Sequence, residues 1–286
     1  MICLSVVSHG QGAVASRLLD SIERTAMAAR AAGTVSPVSQ VIYTRNVAEA
    51  DGVSVRSALP GLTVIDNRSP RGFGENHNAA FQHCQAPYFC VVNPDIEWTS
   101  DPFAALLDCF GERGDAIAPS ASNGRRQGSP IPRPLATPQA RHARGLVAPL
   151  VLSPDGTIEN TARTLYTVRE MLAQKLRPTN RGADAHWLAG MFLLFRSDAY
   201  GQIGGFDERY FLYIEDVDIC SRLRLAGWTL AQCADAIVIH DARNTSHRSP
   251  RYTLWHLSGM LRYWLSPAFW RYRALLARGQ RHSDGH

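Results

Sequence analysis

An apolar and aromatic run, residues 211–220, is interrupted by three acidic residues: Glu215, Asp216 and Asp218. Apolar residues at helical spacing follow, and Gly227 is a stop signal, so we predict a helix that begins near Glu215. A carboxylate at a helix start is stabilised by the helix dipole and can serve as a general base. Surface acids that cap a helix would give the same local pattern. Glu215 and Asp216 are therefore candidate catalytic residues.

A second group of polar residues suits a cation. Asn93-Pro94-Asp95 directly follows an apolar strand, and His240 ends another. Hard divalent cations prefer oxygen ligands such as the Asp95 carboxylate, and His240 could complete the set. Asx-Pro is also a common turn, and a single histidine is more often structural.

A glycine-rich loop at residues 72–78 opens a helix. Backbone N–H groups at such a helix start favour an anion or a phosphate-linked sugar. The loop lacks the Gly-Lys-Ser/Thr ending of a phosphate-binding Walker loop and the GxGxxG pattern of dinucleotide-binding proteins. It is therefore a candidate phosphate site of another kind.

Apolar strands and amphipathic helices alternate along the chain, which predicts an α/β fold with a mainly parallel central sheet and helices on both faces. The predicted strands are Ile2–Val7, Val41–Tyr43, Leu62–Ile65, Tyr88–Val92, Ala116–Ala118, Trp187–Phe195 and Ile237–Ile239. The predicted helices include Val14–Arg30, one starting near Gly74, Pro102–Phe110 and Glu215–Ala226. Residues 120–145 are rich in Gly, Arg and Pro and are predicted to form a long loop. Polar residues collect where strands end, which is where open α/β sheets bind ligands.

Composition and charge restrict the class of protein. The 286 residues are 45% hydrophobic and 19% charged, with a formal net charge of +5. This modest excess favours anionic ligands and argues against a dedicated nucleic-acid-binding protein. The six cysteines are scattered without a CxxC pair, as expected for buried thiols in a reducing compartment. The first residues are typical of a strand and not of a signal peptide, and no apolar run is long enough to span a bilayer, so we expect a cytoplasmic protein.

The C-terminal segment, residues 243–286, has eight arginines against one aspartate, and seven aromatic residues. Four leucines within it follow helical spacing: Leu254, Leu257, Leu261 and Leu265. Basic and aromatic residues with this pattern favour an anionic membrane surface. The alternative is that this helix packs on the rest of the protein and the arginines are solvated.

Taken in order, these motifs resemble a family 2 glycosyltransferase with the GT-A nucleotide-diphospho-sugar transferase fold, close to the bacterial rhamnosyltransferase-like branch that builds surface polysaccharides such as O-antigen. The motifs that carry the resemblance are Ser8-His9, residues 67–78, Asn93-Pro94-Asp95, residues 187–191, residues 204–208, Glu215-Asp216, His240-Asp241 and residues 246–248. The resemblance covers about residues 1–265.

The resemblance implies a role for each matching residue. The donor-binding set would be Ser8, His9, Asn46, Asn67, Gly72, Gly74, Asn76, Asn78 and Asn93. Asp95 and His240 would hold a divalent cation, Mg²⁺ or Mn²⁺. Asp216 is favoured over Glu215 as the base of an inverting transfer. Two positions depart from the family pattern, because Asn93 and Asn46 stand where many relatives have an acid.

The resemblance also implies an organisation and partners. Residues 1–250 would form the catalytic domain, with a nucleotide-binding half (about 1–118) and an acceptor half (about 146–250), and residues 251–286 a helical extension. The partners would be a nucleotide-diphosphate sugar and a glycan or lipid-linked acceptor, while the basic and aromatic tail separately predicts docking on the anionic inner face of the plasma membrane. Arg163 could meet an acceptor phosphate or form a structural ion pair. Two other functions remain open: a sugar nucleotidyltransferase and a non-catalytic nucleotide-sugar or glycan-binding module.

Overall fold

The computed structural model describes residues 1–48, 59–111, 143–165, 185–241 and 250–283, with side chains to residue 278. The strands are β1 (Ile2–Ser8), β2 (Val38–Arg45), β3 (Thr63–Asp66), β4 (Tyr88–Val92), β5 (Ile96–Glu97), β6 (Arg144–Leu152), β7 (Ala162–Arg163), β8 (Trp187–Leu188), β9 (Phe192–Arg196) and β10 (Thr229–His240). The helices are α1 (Gly12–Ala31), α2 (Phe73–Phe81), α3 (Phe103–Asp108), α4 (Ser197–Gln202), α5 (Glu215–Leu225), α6 (Pro250–Leu265) and α7 (Pro267–Ser283). The predicted strand Ala116–Ala118, residues 120–142 of the predicted loop and the motif at 246–248 lie outside the described residues.

Eight strands form one sheet in the order β3-β2-β1-β4-β9-β6-β10-β5. The first four are mutually parallel, and β6 is parallel to β10. Strand β9 runs antiparallel to both of its neighbours, and β5 runs antiparallel to β10. The carboxyl ends of β1, β2, β3, β4 and β10 therefore lie along the same edge of the sheet, where ligands of open α/β sheets bind.

Alternate residues of each buried strand face opposite sides of the sheet. In β4, Tyr88, Cys90 and Val92 pack with α1 and α3 on one side. Phe89 and Val91 pack on the other side, with residues of α2, α4 and α5. Two apolar layers therefore hold the sheet between helices, which is why its strands read as continuous apolar runs in the sequence.

The predicted elements differ from the structure mainly in length and in one break. The predicted strand Trp187–Phe195 is wrong as a single element, since Trp187 pairs with β7 in a separate two-stranded sheet and Phe192 begins β9 in the main sheet. Ala189, Gly190 and Met191 connect the two. This break serves the cavity described below, because the Gly190 N–H donates a hydrogen bond to Asp216.

The C-terminal helices pack against the rest of the protein through one face. Met260 and Tyr263 of α6 and Phe269 and Tyr272 of α7 are buried in the same apolar cluster as α5. The hydroxyls of Tyr263 and Ser221 lie 2.6 Å apart in a buried hydrogen bond. Among the described residues, none of the helices combines the length and the apolar character that crossing a bilayer would require.

Candidate active site

A cavity of about 600 Å³ lies at the edge where the strands end, within the range typical of ligand sites. Eight of the predicted site residues line it: His9, Asn46, Asn76, Asn93, Asp95, Glu215, Asp216 and His240. Five do not line it: Ser8, Asn67, Gly72, Gly74 and Asn78. Ser8, Asn67 and Gly72 contact residues that line the cavity, whereas Gly74 and Asn78 contact Phe206, which does not.

Asn46 directly follows β2 and forms hydrogen bonds to the segment that leads into the glycine-rich loop. Its Oδ1 accepts the Arg71 backbone N–H at 2.8 Å, and its Nδ2 donates to the Arg71 carbonyl at 2.9 Å. These two backbone partners fix the orientation of the amide. The same Nδ2 lies 3.0 Å from Nδ1 of His9, so Nδ1 is the acceptor there and the N–H of the His9 ring is on Nε2. His9 therefore presents an N–H donor to a ligand.

A second pair of amides completes this support. Asn67 donates through Nδ2 to Oδ1 of Asn46 at 2.9 Å and to Oδ1 of Asn76 at 2.6 Å. Asn76 donates to the Gly72 carbonyl at 2.8 Å. Asn67 thus acts one layer behind the cavity, because its amide is used to hold Asn46 and Asn76 in place.

Ser8 and His77 are buried polar residues close to the cavity. The Ser8 hydroxyl accepts the Gln11 backbone N–H at 3.2 Å, next to the start of α1. His77 lines the cavity, and its Nδ1 lies 2.8 Å from the Ser5 hydroxyl. Burial lowers the pKa of His77 to about 3, so this imidazole is neutral at physiological pH.

Residues 206–211 pack directly on Gly72 and Gly74 and leave little room for a side chain at either position. A Cβ on Gly72 would lie 3.1 Å from the Phe211 carbonyl oxygen, and one on Gly74 would lie 2.5 Å from the Phe206 Cβ. The first amide of α2, that of Phe73, already donates to the Phe211 carbonyl at 2.8 Å. The leading N–H of this helix start is therefore occupied, and its glycines allow close packing. A donor-binding role for these glycines stays a prediction.

Asn78 holds the same segment in place. Its Oδ1 accepts the Tyr200 hydroxyl at 2.7 Å and the Phe206 backbone N–H at 2.9 Å, and its Nδ2 donates to the Phe206 carbonyl at 2.9 Å. Together with a further hydrogen bond from Nδ2 to Glu208, these contacts bind the 206–208 turn and α4 to α2.

We expect Asn78→Ala to lower the free energy of unfolding by about 2 kcal/mol, because it leaves the buried Tyr200 hydroxyl and Phe206 amide without their partner. Chemical denaturation measures this change. The affinity of the folded variant for a donor nucleotide should stay within a factor of about 3. An affinity loss of tenfold or more at unchanged stability would show instead that Asn78 contacts the donor.

The Asp95–His240 pair forms the other end of the cavity. The strand pair β5–β10 places His240 opposite Ile96, and the Asp241 backbone N–H donates to the Asp95 carbonyl at 3.0 Å. Nε2 of His240 lies 3.3 Å from Oδ2 of Asp95, and its Nδ1 lies 3.1 Å from Oε1 of Glu159. Burial lowers the pKa of His240, but the two carboxylates outweigh burial and the net pKa is raised.

These residues fit a divalent cation. Oδ1 of Asp95 is buried and has no hydrogen-bond partner, which is costly for a carboxylate oxygen unless a ligand completes it. When Nδ1–H of His240 donates to Glu159, the Nε2 lone pair faces Asp95, in the carboxylate–histidine arrangement that supports metal ligands. No cluster of three His, Cys, Asp or Glu side chains suited to a metal occurs among the described residues. A cation held by Asp95 and His240 would have two protein ligands and would take its others from the substrate and water.

Two consecutive residues with positive φ form a turn directly before Glu215 and Asp216. Tyr213 and Ile214 both have φ of 72°, which is rare for a non-glycine residue and strained for β-branched isoleucine. The turn places Glu215 and Asp216 at the first positions of α5. Asp216 accepts the Gly190 N–H at 3.1 Å through Oδ2 and the Val217 N–H at 2.8 Å through Oδ1.

The two acids differ in how well their ionised forms are stabilised. Burial raises the pKa of Glu215 well above its ordinary value, and the charge of Asp216 raises it further. Its Oε2 is buried without a partner. Burial also raises the pKa of Asp216, but the two backbone N–H groups and the charge of Arg163 act against burial. Asp216 is therefore the better-supported carboxylate, and Glu215 favours its neutral form.

Sequence reasoning missed several residues of the cavity. Glu159, which supports His240, was not singled out as a site residue. Tyr252, Trp255 and His256 of α6 also line the cavity, although the sequence assigned them only to the basic tail. Their aromatic character was visible, but only the packing of α6 shows that one face of the helix reaches the site.

Arg163 was left open between two roles. It lines the cavity, its guanidinium lies 5.3 Å from the centre of the Trp187 ring, and its Nε donates to the Asn160 carbonyl at 2.6 Å. It is thus held in place as a cation in the same cavity as Asp216.

Comparisons with known proteins identify relatives and a shared fold. The family profile "Glycosyltransferase like family 2" matches residues 2–258. Over 245 residues the chain is 32% identical to the N-acetylglucosaminyl-diphospho-decaprenol L-rhamnosyltransferase of Mycobacterium tuberculosis, which covers 76% of this chain and 70% of that protein.

Two solved structures share the fold at low sequence identity. S. aureus TarS matches 84% of this chain with a TM-score of 0.54 and 11% identity, and this chain spans only 36% of the TarS chain. The mannosyltransferase PcManGT from Pyrobaculum calidifontis, in complex with GDP-Man and Mn²⁺, matches 99% of this chain and 80% of its own, with a TM-score of 0.52 and 13% identity. The predicted fold class is confirmed.

Proposed function

The chain belongs to the family 2 glycosyltransferases, and from this premise we propose that it transfers a sugar, with inversion at the anomeric carbon, from a nucleotide-diphosphate sugar to a lipid-linked glycan acceptor. The observation that carries the proposal is that one cavity holds a supported carboxylate, Asp216, and a separate Asp95–His240 pair suited to a cation. An acid–base group and a charge-stabilising group in one site are what such a displacement requires.

Rhamnose is the proposed sugar. The supporting observation is the Mycobacterium tuberculosis relative, whose name describes an L-rhamnosyltransferase acting on an N-acetylglucosaminyl-diphospho-decaprenol. That name also supports an acceptor carried on a lipid diphosphate. We place such an acceptor, in surface polysaccharide synthesis, at the inner face of the plasma membrane.

Asp95 and His240 would hold a divalent cation, with Asn93 beside them in the cavity. The Mn²⁺ in the PcManGT complex supports a cation in this fold. A bound cation would supply positive charge that stabilises the departing nucleoside diphosphate. Arg71, which also lines the cavity, would add a second positive charge near the diphosphate.

Asp216 would accept the proton of the acceptor hydroxyl while that oxygen bonds to the anomeric carbon. The bond between this carbon and the diphosphate oxygen breaks in the same step, and the nucleoside diphosphate leaves with the electron pair. Direct displacement of this kind needs one base and no covalent sugar–enzyme species, so the configuration inverts. Glu215, in its neutral form, would leave Asp216 as the single ionised acid at the turn.

Product analysis tests the proposal against the two alternatives. With a panel of nucleoside-diphosphate rhamnose donors and a synthetic lipid-diphosphate-N-acetylglucosamine acceptor, we expect one donor to give nucleoside diphosphate and a glycosylated lipid in equal amounts. Release of pyrophosphate and formation of a nucleotide sugar from a nucleoside triphosphate and a sugar phosphate would identify a nucleotidyltransferase. Donor binding without product for any donor in a panel of nucleotide sugars would identify a binding module.

A further inference from the structure

One face of α6 carries a row of exposed leucines. Leu254, Leu257, Leu261 and Leu265 are exposed to 65%, 55%, 58% and 72%. Their spacings of three, four and four residues place them on a single stripe of the helix. We call these four residues the leucine stripe. A contiguous apolar surface of this kind marks an interaction site more often than scattered single residues do.

The opposite face of α6 holds the helix against the protein. Gly259, Met260 and Tyr263 are buried there. A Cβ on Gly259 would lie 3.0 Å from the Tyr213 carbonyl oxygen, so α6 packs directly on the strained turn before Glu215. The leucine stripe is therefore not the packing face of the helix. The helix does pack on the rest of the protein, as the alternative expected, but it does so through this face, and the four leucines stay exposed.

The two C-terminal helices carry only positive formal charge. The sequence from Pro250 to Ser283 has six arginines and no aspartate or glutamate. Arg262 is exposed beside the stripe on α6, and Arg271 and Arg273 are exposed on α7. Trp270 is also 56% exposed, with the Arg273 guanidinium 5.4 Å from its ring centre. Exposed leucine and tryptophan among arginines match the composition of helices that lie in the interface of an anionic bilayer.

We propose that the leucine stripe docks α6 flat on an anionic lipid bilayer, with the arginines of α6 and α7 contacting lipid headgroups. Charge complementarity selects this occupant, because a second copy of the chain would bring the same arginines together. The leucines enter the boundary between headgroups and acyl chains, and the helix does not cross the bilayer.

This arrangement also places the cavity at a distance from the bilayer. What that distance means for the acceptor rests on the proposed function. Tyr252, Trp255 and His256 line the cavity from α6, on the side away from the stripe. The docked helix therefore stands between lipid and cavity, and its diameter is about 10–12 Å. An acceptor sugar carried on a lipid diphosphate stands off the bilayer and can reach such a cavity, whereas a hydroxyl at the membrane surface cannot.

Vesicle co-sedimentation of the full chain tests the docking surface. The probes are vesicles of phosphatidylcholine alone and of phosphatidylcholine with phosphatidylglycerol, at low and high salt. We expect binding to the anionic vesicles that weakens with salt. The double variant Leu257→Ser/Leu261→Ser should bind these vesicles at least tenfold more weakly. Met27→Ser is the matched control, since Met27 is a similarly exposed apolar residue (62%) on α1, and it should bind like the wild type.

Three results would overturn the proposal: no binding of the wild type to anionic vesicles, equal binding of the double variant, or a solution dimer that the double variant dissociates while neither form binds vesicles. Vesicle binding needs no turnover, so it can succeed while the proposed transfer fails. Conversely, release of nucleoside diphosphate with a short-chain, water-soluble acceptor should be unchanged in the double variant. Circular dichroism melting confirms that the variant is folded.

Discussion

The variant Asp216→Asn is expected to keep its fold and its affinity for the nucleoside diphosphate but to lose turnover by about 10²–10⁴-fold, the usual contribution of a positioned general base. Asparagine keeps one acceptor oxygen, so it can accept the N–H group of either Gly190 or Val217 but not both. We therefore expect a loss of stability of about 1–2 kcal/mol in addition to the loss of the proton acceptor, and thermal unfolding of the variant measures it. Steady-state kinetics with saturating donor and acceptor measure kcat.

Two comparisons make this prediction specific. Glu215→Gln should lose much less activity, because glutamine resembles the neutral glutamic acid that burial favours. Asp218→Asn controls for a buried acid on the same helix: it weakens the 2.7 Å contact with Arg222, so it should lower stability by about 2 kcal/mol and leave kcat of the folded enzyme near wild type. If Glu215→Gln is inactive and Asp216→Asn is not, the base is Glu215.

We expect kcat to fall at low pH. A general base must be ionised, so kcat falls as pH drops through its pKa. Because burial raises the pKa of Asp216, this acidic limb should appear at higher pH than for an exposed aspartate. The limb should disappear in the residual activity of Asp216→Asn, measured as kcat from pH 4.5 to 8.

The sequence was sufficient to predict which residues line the cavity when those residues end a strand or directly follow one. Asp95 follows β4 and His240 ends β10, and the common direction of these strands brings both to one edge of the sheet. The start of α5 was equally predictable from its helical spacing and stop signal. Such local signals are sufficient because strand direction determines which ends meet.

Other features depend on contacts between residues far apart in the chain. Gly72 and Asn78 look like ligand-binding residues in a glycine-rich loop, yet their neighbours are Phe211 and Phe206, more than 120 residues away. The leucine stripe presented a similar ambiguity, since helical spacing shows that the four leucines share a face but not whether that face is covered. Only the burial of Tyr263 decides which face packs.

The largest expected effect on donor binding follows from Asp95→Ala. Its buried carboxylate lies 3.3 Å from His240 and has one oxygen without a partner, so its removal takes away half of the proposed protein ligands. We expect the Mn²⁺-dependent part of the affinity for nucleoside diphosphate to disappear, a loss of about 100-fold or more. This exceeds the 10–100-fold typical of removing a residue that only supports a metal ligand. Isothermal titration with Mn²⁺ and with excess chelator measures both parts.

The variant Glu159→Gln distinguishes the loss of a metal ligand from the loss of a residue that only supports one. Glutamine can still accept a hydrogen bond from Nδ1 of His240 but lacks the charge, so we expect a smaller loss of metal-dependent affinity, about tenfold. Glu97→Gln is the matched control, because Glu97 lies two residues from Asp95 in a half-exposed ion pair with Arg17 and does not line the cavity. It should bind like the wild type. Full donor affinity and activity of the wild type in excess chelator would contradict the cation site, and the Asp95–His240 pair would then have to stabilise the departing diphosphate through protonated His240 alone.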